Sequence, residues 1–170
     1  MLIRKATSED YPGIATVHIN SWKTTYQGIV ASAYLDNLDL EERKQRWQRI
    51  LAGSHNVYLA ESIAGKVVGF AALGDNRSKE YPYSAELHAI YILKDFQGSG
   101  IGRGLFDQAA AHFNSKKQES MIVWVLAENT PARSFYERLG GRVVGEKTLE
   151  IGGQPHVEAA YGWEKLSLAK

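Results

Sequence analysis

The chain has 170 residues, 44% of them hydrophobic and 23% charged, a balance that fits one domain around one core and excludes a disordered chain. A formal net charge of +1 supplies no field to hold nucleic acid or an anionic membrane surface, so neither is an expected partner. Without cysteine the chain has no disulfide, no thiolate nucleophile and no cysteine-ligated zinc.

Met1-Leu2-Ile3-Arg4-Lys5 runs straight into charge with no apolar leader, and no apolar run is long enough to span a bilayer, so a cytoplasmic location is expected. Residues 2–5 read as a first strand. Ser8 offers an N-cap, Glu9 and Asp10 suit a helix start, and Ile14, Val17, His18, Ser21 and Trp22 recur at helical spacing. Gln27-Gly28 breaks that helix. Residues 32–37 predict one short helical turn. Asp39 caps a further helix whose Leu40, Arg43, Trp47, Ile50 and Leu51 share a face.

Residues 56–62 and 66–73 are β-prone runs joined by Ala64-Gly65, a hairpin signal. A polar loop follows over 74–82, then a long strand over 85–93. Glycine-rich residues 97–104 lead into a helix carrying Leu105, Phe106, Ala109, Ala110 and Phe113. Residues 121–126 predict a buried strand. Thr130-Pro131 reads as an N-cap with proline at the first helical position, and Gly140-Gly141 ends that helix. Residues 142–151 and 155–163 close the chain as a hairpin around Gly152-Gly153. The order β-α-α-β-β-β-α-β-α-β-β predicts an α/β (α+β) domain over 1–170, with a mixed sheet of about seven strands and helices on its faces. The closing hairpin offers an edge for pairing with a second copy, so a homodimer is one expected assembly.

The chemistry concentrates after the strand over 85–93. Glycines let the backbone turn tightly and approach a ligand, and unpaired N–H groups at a helix start favour an anion such as pyrophosphate. Arg103 adds a cation there. A Walker loop is excluded by spacing and by the missing lysine. The dinucleotide fingerprint also fails, because its third glycine falls on Arg103, Leu105 or Asp107. What remains is Q-x-x-G-x-G at Gln97, Gly100 and Gly102, directly after a strand.

In that pattern the chain resembles the GCN5-related N-acetyltransferase (GNAT) superfamily, whose acetyl-CoA pyrophosphate loop it matches. A second block agrees: Val125-Leu126-Ala127-Glu128-Asn129, then a short helix with Tyr136 before Gly140-Gly141. The opening Ile3-Arg4-Lys5-Ala6-Thr7 is similar too, so the resemblance spans nearly the whole chain. It implies a mostly antiparallel sheet splayed into an acyl-CoA cleft. Acetyl-CoA is then the co-substrate and an amine the acceptor. Ile90, Tyr91 and Ile92 match the backbone that meets the pantetheine arm. Gln97, Gly98, Ser99, Gly100, Ile101, Gly102 and Arg103 match the pyrophosphate cradle, and Asn129 matches a pantetheine contact. Tyr136 matches the tyrosine that protonates the leaving thiolate.

Glu86, eleven residues before Gln97, matches the general base of the histone-acetylating branch. Strand alternation places Glu86, His88, Ile90 and Ile92 on one face. His88 is therefore a rival base or a substrate contact, and ordered water is a third route. Trp22 and Tyr26 follow the first helix, where the family's acceptor loop lies, and serve either as a lid over substrate or as core cover. His18, His55, His112 and His156 show no metal-ligand spacing, so no metal is expected. With no cysteine and no serine beside a base, direct attack in a ternary complex is expected over an acyl-enzyme. The acceptor, a small-molecule or protein amine (an N-terminus or a lysine), stays open, as does a non-catalytic acyl-CoA-binding module.

Overall fold

A computed structural model describes residues 1–166. Its elements in chain order are β1 (Leu2–Lys5), α1 (Tyr11–Thr25), α2 (Ser32–Asp36), α3 (Leu40–Ala52), β2 (Asn56–Glu61), β3 (Val67–Asp75), β4 (Ala85–Ile92), α4 (Ile101–Ser115), β5 (Met121–Leu126), α5 (Thr130–Arg138), β6 (Arg142–Ile151) and β7 (Gln154–Trp163). Short 3-10 turns lie at Ser8–Asp10 and Lys94–Phe96. The strands form one seven-stranded sheet in the order β1-β2-β3-β4-β5-β7-β6. Every neighbouring pair is antiparallel except β4 and β5, which run parallel. The element order and the mixed sheet are those the sequence predicts.

The start of α1 differs. Thr7, not Ser8, opens the segment, because Asp10 reaches back to accept from the Thr7 backbone N–H at 2.7 Å while pairing with Arg4 at 2.8 Å. That capping box makes residues 8–10 a 3-10 turn ahead of α1. The start of α5 differs by one residue: Asn129 is the cap, its side-chain oxygen accepting from Ala132 N–H at 3.3 Å, and Thr130 is already helical. Asp39 caps α3 as expected, accepting from Glu42 N–H at 2.9 Å.

The two sheet faces carry different helices. On one, Leu105, Phe106, Ala109 and Phe113 of α4 and Tyr136 of α5 pack on Ala85, Leu87, Val123 and Tyr161. On the other, Ile14 and Val17 of α1 and Trp47 of α3 pack on Leu59 and Phe70. A third cluster joins Tyr26, Val30 and Leu35 to Leu126 and Ile151. Each side chain's face follows from strand alternation, and its burial supplies most of the stabilisation.

Candidate functional site

β4 and β5 separate after three residues. Ala85, Glu86 and Leu87 pair with Met121, Ile122 and Val123, and nothing further along either strand is paired between them. β4 keeps its other partner to the end, since Gly69 of β3 still faces Ile92. Residues 88–92 and 124–126 therefore bound a wedge in the middle of the sheet. Polar backbone inside a fold demands partners, so such a wedge is a place for a ligand that brings hydrogen bonds of its own. One group is already answered: Gln97 Nε2 donates to Ile92 carbonyl at 3.1 Å.

The wedge begins at a bulge. Opposite β3, Ala72 faces Ala89 and Leu73 faces Leu87, which leaves His88 without a partner. The extra residue resets the alternation. Ile90 and Ile92 now pack with Leu87 on the α4 face, whereas Ala89 and Tyr91 pack on the α1 face. The expectation that Glu86, His88, Ile90 and Ile92 share one face is thus corrected. The bulge needs a small neighbour: the His88 ring lies against Gly74, where a Cβ would clash with it.

The glycine loop lies at the mouth of the wedge. Gly98 and Gly100 have positive φ, +75° and +85°, with no atom within 4 Å of where a Cβ would stand. Gly100 is the N-cap of α4 and makes no side-chain capping bond, so the first amides of α4 have no capping acceptor. Ser99 turns its hydroxyl back to Phe96 carbonyl at 2.6 Å. Gly102 differs from the other two: a Cβ there would meet Phe135 at 3.1 Å and Ile92 at 3.2 Å, so it holds α4 close to α5 and β4. Arg103 is half-exposed and gives its Nε to Asp107 at 2.9 Å, leaving only the outer nitrogens of its guanidinium for a phosphate.

Three phenols, Tyr26, Tyr91 and Tyr136, lie within electrostatic range of one another. Tyr26 and Tyr91 hydroxyls lie 3.2 Å apart. Tyr136 is buried against Tyr161 and Trp163. Burial, then the nearby Tyr91, push the Tyr136 phenol well above its ordinary value, so it carries its proton at any working pH. Tyr26 is raised by burial and then by Tyr91, with Tyr136 also in range. Trp22 meets Tyr26 edge-on at 4.7 Å between centroids. Tyr26 is thus part of the core, while Trp22 also lines a cavity.

That cavity, of about 940 Å³, lies beside α1, α3 and the ends of β3 and β4, with Trp22, His88 and Tyr91 in its wall. His88 Nε2 stands 3.1 Å from Asp75 carbonyl. A carbonyl only accepts, so Nε2 carries the proton and Nδ1 keeps its lone pair. Burial, ahead of Arg77, lowers the His88 pKa and keeps the ring neutral.

Glu86 is almost fully buried and fully engaged. Its carboxylate accepts from Arg77 backbone N–H at 2.9 Å, from Arg77 Nε at 3.2 Å and from Arg77 Nη2. Burial alone would raise its pKa, but the Arg77 side chain and N–H outweigh burial and hold it below the usual value. Asn76, buried, staples this loop by donating to Tyr81 and Tyr83 carbonyls at 2.8 and 3.0 Å. Trp124, on the same face, donates its indole N–H to Ser78 Oγ at 3.1 Å and carries Lys147 over its ring. Sequence reading passes over Arg77 because its role depends on the loop path, and the signal was only a cation in a polar stretch. Among the described residues, no group of three histidine, aspartate or glutamate side chains is placed to hold a metal.

The sequence model of the Acetyltransferase (GNAT) family matches residues 19–141. The uncharacterized N-acetyltransferase YuaI of Bacillus subtilis is 38% identical over 169 residues, which cover 99% of this chain and 95% of that one. The L-methionine sulfoximine/L-methionine sulfone acetyltransferase of Pseudomonas aeruginosa is 26% identical, covering 97% of this chain and 90% of its own. Among solved structures, the PaiA N-acetyltransferase of Thermoplasma acidophilum in complex with coenzyme A superposes with a TM-score of 0.74 at 23% identity, covering 93% of this chain and 96% of that one. With the splayed parallel pair, the open glycine loop and a family match across most of its length, the chain belongs to the GNAT family of acetyltransferases.

Proposed function

We propose that the protein transfers the acetyl group of acetyl-CoA to a primary amine by direct attack within a ternary complex. The observation that carries this is the wedge between β4 and β5 opening onto the uncapped start of α4. Gly98 and Gly100 leave their backbone bare to open space, which fits a pyrophosphate approaching the first amides of the helix. On this reading Gln97, Ser99, Ile101, Gly102 and Arg103 complete the cradle, and Ile90, Tyr91 and Ile92 offer main-chain partners to the pantetheine arm. Asn129 has spent its oxygen on the α5 cap, so its amide N–H groups are what it can lend to the arm.

Acetyl-CoA supplies the activated carbonyl. The amine nitrogen bonds to that carbon, the carbon–sulfur bond breaks, the sulfur leaves as thiolate and takes one proton, and the amine gives up its own. Tyr136 is the candidate donor of the thiolate's proton. Its raised pKa keeps the proton in place but makes it a weaker acid than a free phenol, so delivery relies on a thiolate that is itself desolvated. For the amine's proton, Glu86 and His88 are the candidates. Arg77 lowers the basicity of Glu86, whereas His88 is neutral with a free Nδ1 and borders the cavity. The geometry favours His88 as acceptor, with Glu86 fixing Arg77 and the loop. Trp22 and Tyr26 shape the acceptor side.

No helix is long and apolar enough to cross a membrane among the described residues, and a cytoplasmic location accompanies this reading. β6 lies at the sheet edge with Val143 exposed, a surface for a second copy. The test of function is CoA uptake by calorimetry, followed by thiol release from acetyl-CoA across a panel of amines. Absence of CoA uptake sinks the proposal, and CoA uptake without thiol release from any amine leaves the binding-module reading in its place.

A further inference from the structure

The relatives divide over the amine: one acts on L-methionine sulfoximine and sulfone, and another, from Thermoplasma acidophilum, is a spermidine N(1)-acetyltransferase. These acceptors differ in charge, and charge is legible in the cavity beside Tyr91. Arg43, Arg46, Arg77 and Lys116 line it, against one carboxylate, Asp75. Arg77 is already matched by Glu86. Arg43 and Arg46, one helical turn apart on α3, are not matched. Among the described residues they enter no ion pair, while Arg4, Lys44, Arg77, Arg103 and Lys147 each do.

The nearby acids are otherwise disposed. Asp39 caps α3 by accepting from Glu42 N–H, and Asp75 Oδ1 accepts from Gln118 at 3.1 Å. Glu42, beside Arg43 in the chain, is exposed, and its charge is outweighed by burial and by Arg46. The half-buried Arg43 is held below its ordinary pKa by burial and then by Arg46, yet stays charged as guanidinium does. The same two arginines, after burial, push His18 down to about 3. His18 accordingly stays neutral and accepts from Trp47 Nε1 at 3.0 Å. A half-buried cation facing a like charge is an expense the fold keeps without an internal counter-ion. Arg43 also lies within electrostatic range of Tyr91, whose backbone edges the wedge. Glu158 acts on the same phenol, but it is paired with Lys147 at 3.7 Å and does not line the cavity, whereas Arg43 does.

We infer that the acceptor is an amine that also carries an oxyanion, a carboxylate or phosphonate as in an amino acid, and that Arg43, with Arg46 at the cavity mouth, binds it. This rests on the acyltransferase reading and names its substrate class. A planar guanidinium fork suits either oxyanion, and a polycation such as spermidine meets four cations against one carboxylate there. The reactive amine then points from the anchored oxyanion toward His88 and the three phenols.

The experiment compares four acceptors with saturating acetyl-CoA: L-methionine sulfone, its carboxamide, its α-aminophosphonate analogue and spermidine. Thiol release gives kcat and KM for each, and calorimetry gives binding to the CoA-loaded protein. One or both acids should exceed the carboxamide in kcat/KM by roughly ten- to a hundredfold, the scale of one charge-assisted hydrogen-bond pair, mainly through KM. In R43Q that acid-to-amide ratio should collapse toward one with CoA affinity retained, and R43K should restore part of it. The inference is overturned if the carboxamide or spermidine matches the acids, if R43Q keeps the ratio, or if neither acid reacts or binds. A protein that takes up no CoA in the same calorimeter overturns the acyltransferase reading itself, and this inference with it.

Discussion

Replacing Arg77 by methionine isolates the pair that fixes Glu86. The carboxylate is 2% exposed and receives two side-chain N–H groups and one backbone N–H from Arg77. Breaking a fully buried pair costs about 3–5 kcal/mol. The Arg77 side chain is 65% exposed, so water already screens part of its charge, and the backbone bond survives the substitution. Discounting for both leaves about 2 kcal/mol at neutral pH.

The pH dependence gives the sharper test. With Arg77 present, the folded-state pKa of Glu86 lies below its ordinary, unfolded value, so its contribution is present above that value and is lost as pH falls through the folded one. Without the guanidinium, burial dominates and the folded pKa rises above the unfolded one. The variant's penalty is then full at neutral pH and fades as pH falls through that raised value, because a protonated Glu86 no longer needs its partner. Urea unfolding at pH 7 and near pH 4 should therefore show a gap between the two proteins that narrows at the acid end. A gap of constant size across that range would mean that Glu86 is not the group responding, and the account of its burial would be wrong.

Four other substitutions probe the site. Ser99→Asp puts a negative charge beside the first turn of α4 without altering a positive-φ glycine, and CoA affinity by calorimetry should fall by roughly tenfold or more through like-charge repulsion; unchanged affinity would displace the pyrophosphate from this loop. Tyr136→Phe keeps the packing on Tyr161 and Trp163 but removes the proton, so turnover should drop by about ten- to a thousandfold with acetyl-CoA binding retained. Equal turnover would return that residue to a packing role. His88→Gln should lose about a hundredfold in turnover and change the acidic limb of the pH–rate profile, whereas Glu86→Gln should act chiefly on stability; the opposite ranking would make Glu86 the base.

The parts of this molecule that the sequence discloses are those encoded locally. Helix periodicity in α3 and α4, Ala64-Gly65 and Gly152-Gly153 at the hairpins and the Q-x-x-G-x-G turn each act within a few residues, and the structure contains them where the pattern places them. The parts it conceals depend on a partner distant in the chain. The bulge at His88 exists only relative to Ala72 and Leu73 of β3, and it reverses which residues of β4 face α1. Asn129 and Thr130 are both good caps, and the choice between them is made by the side-chain oxygen of Asn129 reaching Ala132 N–H. Arg77 acquires meaning once Asn76 has folded its loop onto β4, and Arg43 once α3 lies beside Tyr91. In the candidate site, the loop and the strand were therefore readable and the charge distribution was not.

The wedge also bears on why direct attack is the economical chemistry. Each sheet face is covered by its own helices, α4 and α5 on one and α1 and α3 on the other. A sheet paired throughout would separate whatever bound on the two faces. Because β4 and β5 part after Leu87 and Val123, the sheet has an opening, and across it groups from both faces come within electrostatic range: Tyr136 from the α5 side, Tyr26 and Tyr91 from the α1 side. On the reading proposed, acetyl-CoA occupies the wedge from the glycine-loop end, its arm answering the unpaired strand edges. The acceptor comes through the cavity beside α3. Neither has to leave before the other arrives, so no residue need hold the acyl group between two half-reactions, and a chain without cysteine lacks nothing for the task. The bulge then has a mechanistic consequence. By turning Tyr91 toward the α1 face while Ile90 and Ile92 stay on the α4 face, it would, on that reading, let one short stretch of β4 serve the donor through its backbone and the acceptor through a side chain.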